Sequence, residues 1–478
     1  MKDTTMTLPE NAADKTNSFR GFMALLQARG ELAEIATPVD PDGFELSAMA
    51  SALHDGPAAI FTQTGPTGMP VVANVLNSID RVALGLGLTR ADLPTAISDA
   101  IGRPVAPKVV ETGACQEVDL GKDLSALPIP RFFEHEGGPY ITAGCIVAKD
   151  SAAGIANLSY ARLRPTGPDT ALIGIAPNHH LAVMARAAAA RGEEQPIAIT
   201  LGNAPSVLLA AALYLKLGDD EMEVAGALEG APIDCVRCKT SDLLVPADCE
   251  IVIEGVIDPE ERVHEGPVSE YHGMYEDYGP GQLVRITKIT ARRNAMFQAI
   301  VPGFHLEHLL IGGVSIAAGL ESHLKGIIPS VRRVAIDNSG CGRLSAVVTL
   351  AEGHHLGDPK KAILGALSAV NLVKHVTVVD EDVDPWDEFA VRTAVMTRMR
   401  AERDIVIVPG MRTDRSEPMK LGGTITNYGF VATRRADDRP DWTPALPPQA
   451  AYDATAGIVA RIRAGARRAE ETGEAAPD

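Results

Sequence analysis

Residues 263–273 read "VHEGPVSEYHG" and set two glutamates, Glu265 and Glu270, on either side of a Gly-Pro step, with His264 and His272 flanking them. Pro removes a backbone donor and Gly relaxes the chain, so neither a helix nor a regular strand is expected across Gly266-Pro267. The β-branched run "EIVIEGVID" just upstream predicts a strand that delivers this segment as a loop. Two carboxylates brought to one cavity cannot both ionise cheaply, and the one that keeps its proton serves as a general acid. A charged, solvated turn is the bland alternative, and the commoner fate of an unpaired Glu. Spacing alone favours the solvated turn.

Around this loop, from about residue 140 to 300, strand signals dominate. "YITAGCIVAKD", "CEIVIEGVID", "LVRITKITAR" and "AMFQAIVPG" are β-branched runs broken by turn residues, and "HLAVMARAAAARG" and "SVLLAAALYLKLG" are helical insertions. The pattern predicts a mixed barrel or sandwich with helices packed outside. N-terminal to it, Ser18 caps a helix carrying Phe19, Phe22, Met23 and Leu26 at helical spacing, with Gly30 ending it. Alternating pieces up to about residue 110 predict a small α/β unit, and "SALPIPRFFEHEGGPYITAG" an ordered loop entering the next domain. Beyond the barrel, "HLLIGGVSIAAGLESHLKG" predicts an apolar connector helix. Short strands "VRRVAID", "LSAVVTLA", "HVTVVDEDVD" and "DIVIVPG" follow, with a helix "DPKKAILGALSAV" capped by Asp358 and opened by Pro359. These make a second α/β domain, and "AYDATAGIVARIRAGARRAEE" a terminal helix that frays or docks on a partner.

At 478 residues the chain predicts two or three domains. Its 44 Lys and Arg against 62 Asp and Glu give a net charge of −18, which argues against a nucleic-acid partner. The N-terminal stretch has no apolar leader pattern, and no apolar run reaches the roughly 20 residues of a membrane span, so a cytoplasmic protein is expected. Six scattered cysteines fit a reducing compartment; Cys235 and Cys238, a CxxC pair without a second pair or suitably placed histidines, read as buried small residues. Asp380–Asp384 reads as a hinge turn, and His354 and His355 as a solvated loop.

"LPIPRFFEHEGGPYITAG", "NLSYAR", "VPADCEIVIEGVI", "EGPVSEYHG" and "TVVDEDVD" occur in that order, and together they resemble the UbiD family of prenylated-FMN (prFMN) dependent decarboxylases over residues 110–435. The resemblance implies an α/β (α+β) multidomain fold: an N-terminal α/β domain (1–110), a central split β-barrel binding the flavin (111–303), a connector helix (304–328), a C-terminal α/β domain (329–445) and a helical tail (446–478). It implies that Arg162, Glu265 and Glu270 form a catalytic Glu-Arg-Glu network, with Glu270 exchanging a proton with the substrate carbon. Asn157, His180 and Glu221 then match the family's metal ligands, with His179 lining the flavin; from the residues alone both histidines read as surface or core. Ser159, Tyr160 and Ala161 fall in the same cofactor-binding segment.

Where relatives place a phosphate-contacting Lys, this chain has Asn427, with Lys420 as the substitute. Tyr271, His308 and Ile311 line the substrate pocket by the same analogy. Relatives acting on a diacid carry an Arg eight residues after that His; here the position is Ile316, which implies a bulky apolar monoacid. The implied cofactors are prFMN, Mn²⁺ and K⁺. The implied partners are a carboxylic acid substrate, a flavin prenyltransferase that supplies the cofactor, and further copies of the chain in a homodimer or homohexamer. Losing CO₂ from an sp² carbon leaves a carbanion that water stabilises poorly, so a cofactor that takes up those electrons makes chemical sense. The rival expectations are a catalytically silent assembly subunit and a plain FMN-binding oxidoreductase. No GxGxxG follows a strand, which weighs against the latter.

Overall fold

The run upstream of the acidic loop forms a 14-residue strand, Ile251–His264, the centre of an eight-stranded sheet in a computed structural model. Residues 17–150, 152–435, 443 and 445–472 are described, with side chains to residue 462. The N-terminal stretch up to residue 16 and the last six residues of the tail lie outside them. The chain forms two compact units, Met1–Thr433 and Arg434–Asp478.

The sheet runs in the order Ile155–Tyr160, Cys145–Asp150, Gln195–Leu201, Ile251–His264, Pro280–Ala291, Thr170–Gly174, Arg162–Gly167, with Val118–Gly121 branching from Pro280–Ala291. Every pairing is antiparallel. Its two edge strands, Ile155–Tyr160 and Arg162–Gly167, are consecutive in sequence and joined by Ala161 alone. Successive Cα atoms lie about 3.8 Å apart, so the sheet must curl until its edges meet at that residue. No ladder joins them among the described residues, which makes the barrel split. Helix His180–Ala190 packs against this sheet. The second expected insertion is helical only over Pro205–Ala210, beginning at its Pro.

The N-terminal helix is Phe19–Ala28, its Ser18 hydroxyl accepting from the Gly21 N–H as the sequence predicts. Phe19, Phe22, Met23 and Leu26 join the barrel residues in one core. From the same helix, buried Arg20 reaches Glu250 with two hydrogen bonds of 2.8 and 2.9 Å. One expectation is corrected here. Of "AMFQAIVPG" only Phe297–Gln298 is a strand, and it pairs parallel with Val71–Ala73 of the N-terminal sheet, not with the barrel. A run of β-branched residues announces a strand but not its partner.

The connector helix, Leu306–Ile327, carries apolar residues all round because it packs on the barrel with Leu310 and Val314 and on the C-terminal domain with Ile316 and Leu320. That domain is a five-stranded mixed sheet, in the order Val331–Ile336, Ser345–Leu350, His375–Asp380, Thr424–Ala432, Ile405–Arg412. Its helix Asp358–Ala369 is capped by Gly357, one residue before the expected Asp358, whose carboxylate bonds Ser330 and the His355 N–H. The Asp380–Asp384 turn is tied by Arg398, which bonds Asp380 and Asp382. The tail forms the helix Gln449–Thr472. Among the described residues no helix is long and apolar enough to cross a membrane.

Removing one partner of a buried ion pair strands the other charge. Arg20→Ala is therefore expected to destabilise the protein by about 3–5 kcal/mol in chemical denaturation, far more than the same change at exposed Arg103.

Candidate active site

The strand change at Ala161 sets two groups of polar side chains on either side of the seam. On the first edge Asn157 and Ser159, two residues apart, share one face of the strand, and the Ser159 hydroxyl donates to the Asn157 side-chain Oδ1 at 3.1 Å. The Tyr160 hydroxyl donates instead to the Leu208 carbonyl. Glu221 is the first residue of helix Glu221–Glu229, whose cap is Asp220. Only 2% exposed, it accepts from the Asn157 amide at 3.2 Å and from the Leu158 N–H at 2.8 Å. Burial pushes its pKa up to about 7. No cation pairs with it among the described residues.

His179 caps helix His180–Ala190 without a side-chain hydrogen bond; its Nδ1 is buried and unpartnered, and burial, then the neighbouring His180, pull its pKa down to about 4. No hydrogen bond or ion pair joins His180 to Asn157 or Glu221. Among the described residues no three His, Cys, Asp or Glu side chains stand together as a metal-holding group. The oxygens of Asn157 and Glu221 are the donors a hard cation prefers.

Across the seam, Arg162 makes a bidentate pair with Glu265, 2.6 Å from Nε and 2.8 Å from Nη2. Two other strands of the sheet separate them: Thr170–Gly174 and Pro280–Ala291 lie between the strand of Arg162 and the one that ends just before Glu265. Gly174, the register partner of Arg162, makes the crossing possible. A Cβ there would lie 2.9 Å from both Glu265 oxygens and 3.1 Å from Arg162 Nη2. Burial lowers the Arg162 pKa, but the Glu265 hydrogen bonds and charge outweigh it, so the guanidinium stays charged. Glu265 is followed by Gly266 at φ +78°, the break expected at the Gly-Pro step. A short hairpin then forms, Pro267–Ser269 against Tyr275–Asp277, with Glu270 at the start of its turn.

Among the described residues no Lys, Arg or His forms an ion pair with Glu270. It lies by Tyr278, whose pKa is pushed up by burial and then by the Glu270 charge. The Tyr278 ring lies under two guanidiniums, Arg162 at 5.8 Å and Arg415 at 4.1 Å. Tyr140, buried with its hydroxyl unpartnered, is raised by burial and then by Glu265. The solvated-turn alternative therefore fails for Glu265, which is 3% exposed.

Tyr271 is buried against Leu309 and Leu344, and its hydroxyl donates to the Ser416 carbonyl of the C-terminal domain. His308 points Nδ1 at the Gly303 carbonyl at 3.0 Å, and burial, then Arg343, draws its pKa down to about 4. It is neutral at pH 7, with Nε2 left as the acceptor. Ile311 is buried in the main core. Ile316 instead packs in the C-terminal core, so its identity carries no information about the surroundings of His308. Arg343, which sequence reasoning missed, lies there: it donates to the carbonyls of His308 and Leu309 and rests on Gly312. Lys420 donates to the Glu417 carbonyl, and Asn427 is buried on its strand with its amide on the Val373 carbonyl. Neither bonds the seam residues. Tyr278 and Arg415 were also missed, since only folding brings residues 162, 278 and 415 together.

A curled split barrel carrying a Glu-Arg pair near a second Glu, flanked by two α/β units, is an α/β multidomain architecture with an acid/base-capable seam. Sequence models of the three domains of 3-octaprenyl-4-hydroxybenzoate carboxy-lyase match this chain: the N-terminal domain at 23–101, the Rift-related domain at 108–305 and the C-terminal domain at 309–427. The chain belongs to the UbiD family and, with it, is a carboxy-lyase. It is 35% identical over 389 residues to an anhydromevalonate phosphate decarboxylase of Methanothermobacter thermautotrophicus, covering 80% of this chain and 90% of that one. It resembles the UbiD-class enzyme HmfF of Pelotomaculum thermopropionicum, solved in complex with FMN, at a TM-score of 0.86 and 34% identity over 90% of this chain and 97% of that one. An evolved dimeric form of HmfF in complex with prFMN gives 0.83 and 33%, with the same coverage.

Gly174→Ala is expected to lower the decarboxylation rate on the order of 100-fold, because it displaces the Arg162–Glu265 pair without removing either charge. Steady-state rates per bound flavin check this, beside a thermal melt that stays cooperative.

Proposed function

We propose that this chain is a prFMN-dependent, reversible, non-oxidative decarboxylase of an α,β-unsaturated or (hetero)aromatic carboxylic acid. The carrying observation is the part-buried Arg162–Glu265 pair near a Glu270 that has no ion-pair partner among the described residues. Similarity to HmfF, bound to FMN and prFMN, supports the cofactor. When bound, the prenylated flavin supplies a carbon that takes up the electrons released with CO₂.

The chain's own groups supply the rest. Glu270 carries the proton to the carbon left by CO₂. Arg162, held charged by Glu265, gives the site a fixed positive centre that orients an anionic acid. Asn157 and Glu221, with His180, would hold Mn²⁺ against the flavin phosphate; a cation there would ionise the otherwise unpaired Glu221. His179 and the backbone of Ser159, Tyr160 and Ala161 would line the flavin. K⁺ near the phosphate, Lys420 or Asn427 as phosphate contacts, a prenyltransferase as cofactor source, a homodimer or homohexamer, and a cytoplasmic location complete the reading.

Two readings of the rest of the substrate divide here. A bulky apolar monoacid, such as a fused-ring aromatic acid, fits Tyr271, Leu309 and Ile311 near His308. Arg343 favours an acid with a second anionic group: it is a buried cation without a carboxylate partner among the described residues. Comparing kcat/KM for a fused-ring monoacid and a dicarboxylic acid of similar size separates them.

Protein co-expressed with a flavin prenyltransferase is expected to release prenylated FMN by mass, with one Mn per chain. Glu270→Gln is expected to lose turnover and keep its flavin, whereas Glu221→Ala and His180→Ala lose the flavin. Full activity in Glu270→Gln would sink the acid assignment. Ordinary FMN reduced by NAD(P)H would favour the oxidoreductase, and a loaded protein inert toward every acid the silent subunit.

A further inference from the structure

Glu136 lies in the Pro- and Gly-rich loop that enters the barrel domain, and it is only 6% exposed. No Lys or Arg pairs with it among the described residues. A carboxylate buried without a cation is costly, so what it bonds is informative. Its Oε1 accepts two hydrogen bonds, from the Ser269 N–H at 3.1 Å and the Ser269 hydroxyl at 2.8 Å, while Oε2 is buried without a partner. Ser269 is the residue before Glu270.

The two residues beside Glu136 hold the same hairpin. The His135 N–H donates to the Tyr275 hydroxyl at 3.3 Å, and the two rings lie 5.3 Å apart. The Gly137 carbonyl accepts from Arg164, which also donates to the His264 carbonyl. Three consecutive residues thus reach the strand end at His264 and both members of the pair Ser269–Tyr275. That pair closes the turn 270–274, in which the Glu270 N–H donates to the Met274 carbonyl at 3.0 Å. Glu270 itself is held loosely among the described residues: its carboxylate accepts a long 3.4 Å bond from the Tyr271 N–H, with the Tyr278 hydroxyl beside it. An acid that must give up and regain a proton cannot be fixed by strong bonds to its own oxygens, so its aim has to come from the stem of its turn.

We propose that Glu136 is a positioning residue for the proton-transferring Glu270, acting through the backbone and hydroxyl of Ser269. This rests on Glu270 being the acid, as argued above, but the clamp on the hairpin is testable without it. In flavin-loaded holoenzyme, Glu136→Ala lowers kcat per bound flavin on the order of 10–100-fold while KM stays within about 3-fold. Glu136→Gln, which keeps one oxygen to accept from Ser269, recovers part of the rate. Ser269→Ala combined with Glu136→Ala costs less than the product of the two single losses. Backbone amide exchange at Ser269–Gly273 speeds up at least about 10-fold in Glu136→Ala, with the barrel strands unchanged.

Three results would overturn the proposal: kcat per flavin within 2-fold of the parent, losses that only track flavin content, or independent effects of Glu136 and Ser269. Should the unmodified enzyme turn over no acid, the functional reading falls, and the exchange rates still decide the clamp. Unchanged protection at Ser269 then rejects it. If Glu136→Ala does not fold, Glu136→Gln and Ser269→Ala carry the same comparison.

Discussion

The constraint on which this molecule depends is the single-residue passage at Ala161 between the two edge strands of the central sheet. An antiparallel sheet whose first and last strands are one residue apart has to curl. No ladder joins the two edges among the described residues, so Asn157 and Ser159 lie on one side of the seam and Arg162 on the other, whose strand pairs next to it with Ile141. The five-residue spacing from Asn157 to Arg162 follows from this switch: three residues take the first group to the strand end, one turns, and the next faces the other group.

Charge is handled in two ways around the seam. Where it must be permanent, it is paired: Arg20 with Glu250 ties the N-terminal helix to the barrel, and Arg162 with Glu265 fixes a cation at the opening. Where it has to change, the partner is withheld. Glu270 sits beside a tyrosine instead of a cation, and the buried histidines His179 and His308 are held neutral by desolvation. Desolvation disfavours the charged form of both histidines, so they stand in the site as neutral rings.

The C-terminal domain meets this arrangement through Tyr271 on Ser416, Arg415 on Tyr278 and Arg343 on the His308 and Leu309 carbonyls. The connector helix is packed on both sides and so transmits its position to the C-terminal sheet. Much of this was legible: the Ser18 cap, the buried CxxC cysteines, the connector helix and the break at Gly266 each follow from one residue type in one local setting. Partner choice was not. Phe297–Gln298 joined the N-terminal sheet, and the pocket-facing role expected of position 316 dissolved when Ile316 turned toward the C-terminal core.

By itself the sequence determined the strand and helix periods, the chain breaks and the presence of two glutamates around a Gly-Pro step, because these are local consequences of residue type. The motif order determined the family. Only the tertiary structure decided that Arg162 meets Glu265, through the space left by Gly174, and that Glu270 has Tyr278 and not an arginine at its side. The Arg162–Glu265 contact joins residues 103 positions apart, across strands whose order in the sheet differs from their order in the chain. No local pattern encodes that, because it is the closure of the whole sheet that sets which side chains share the seam.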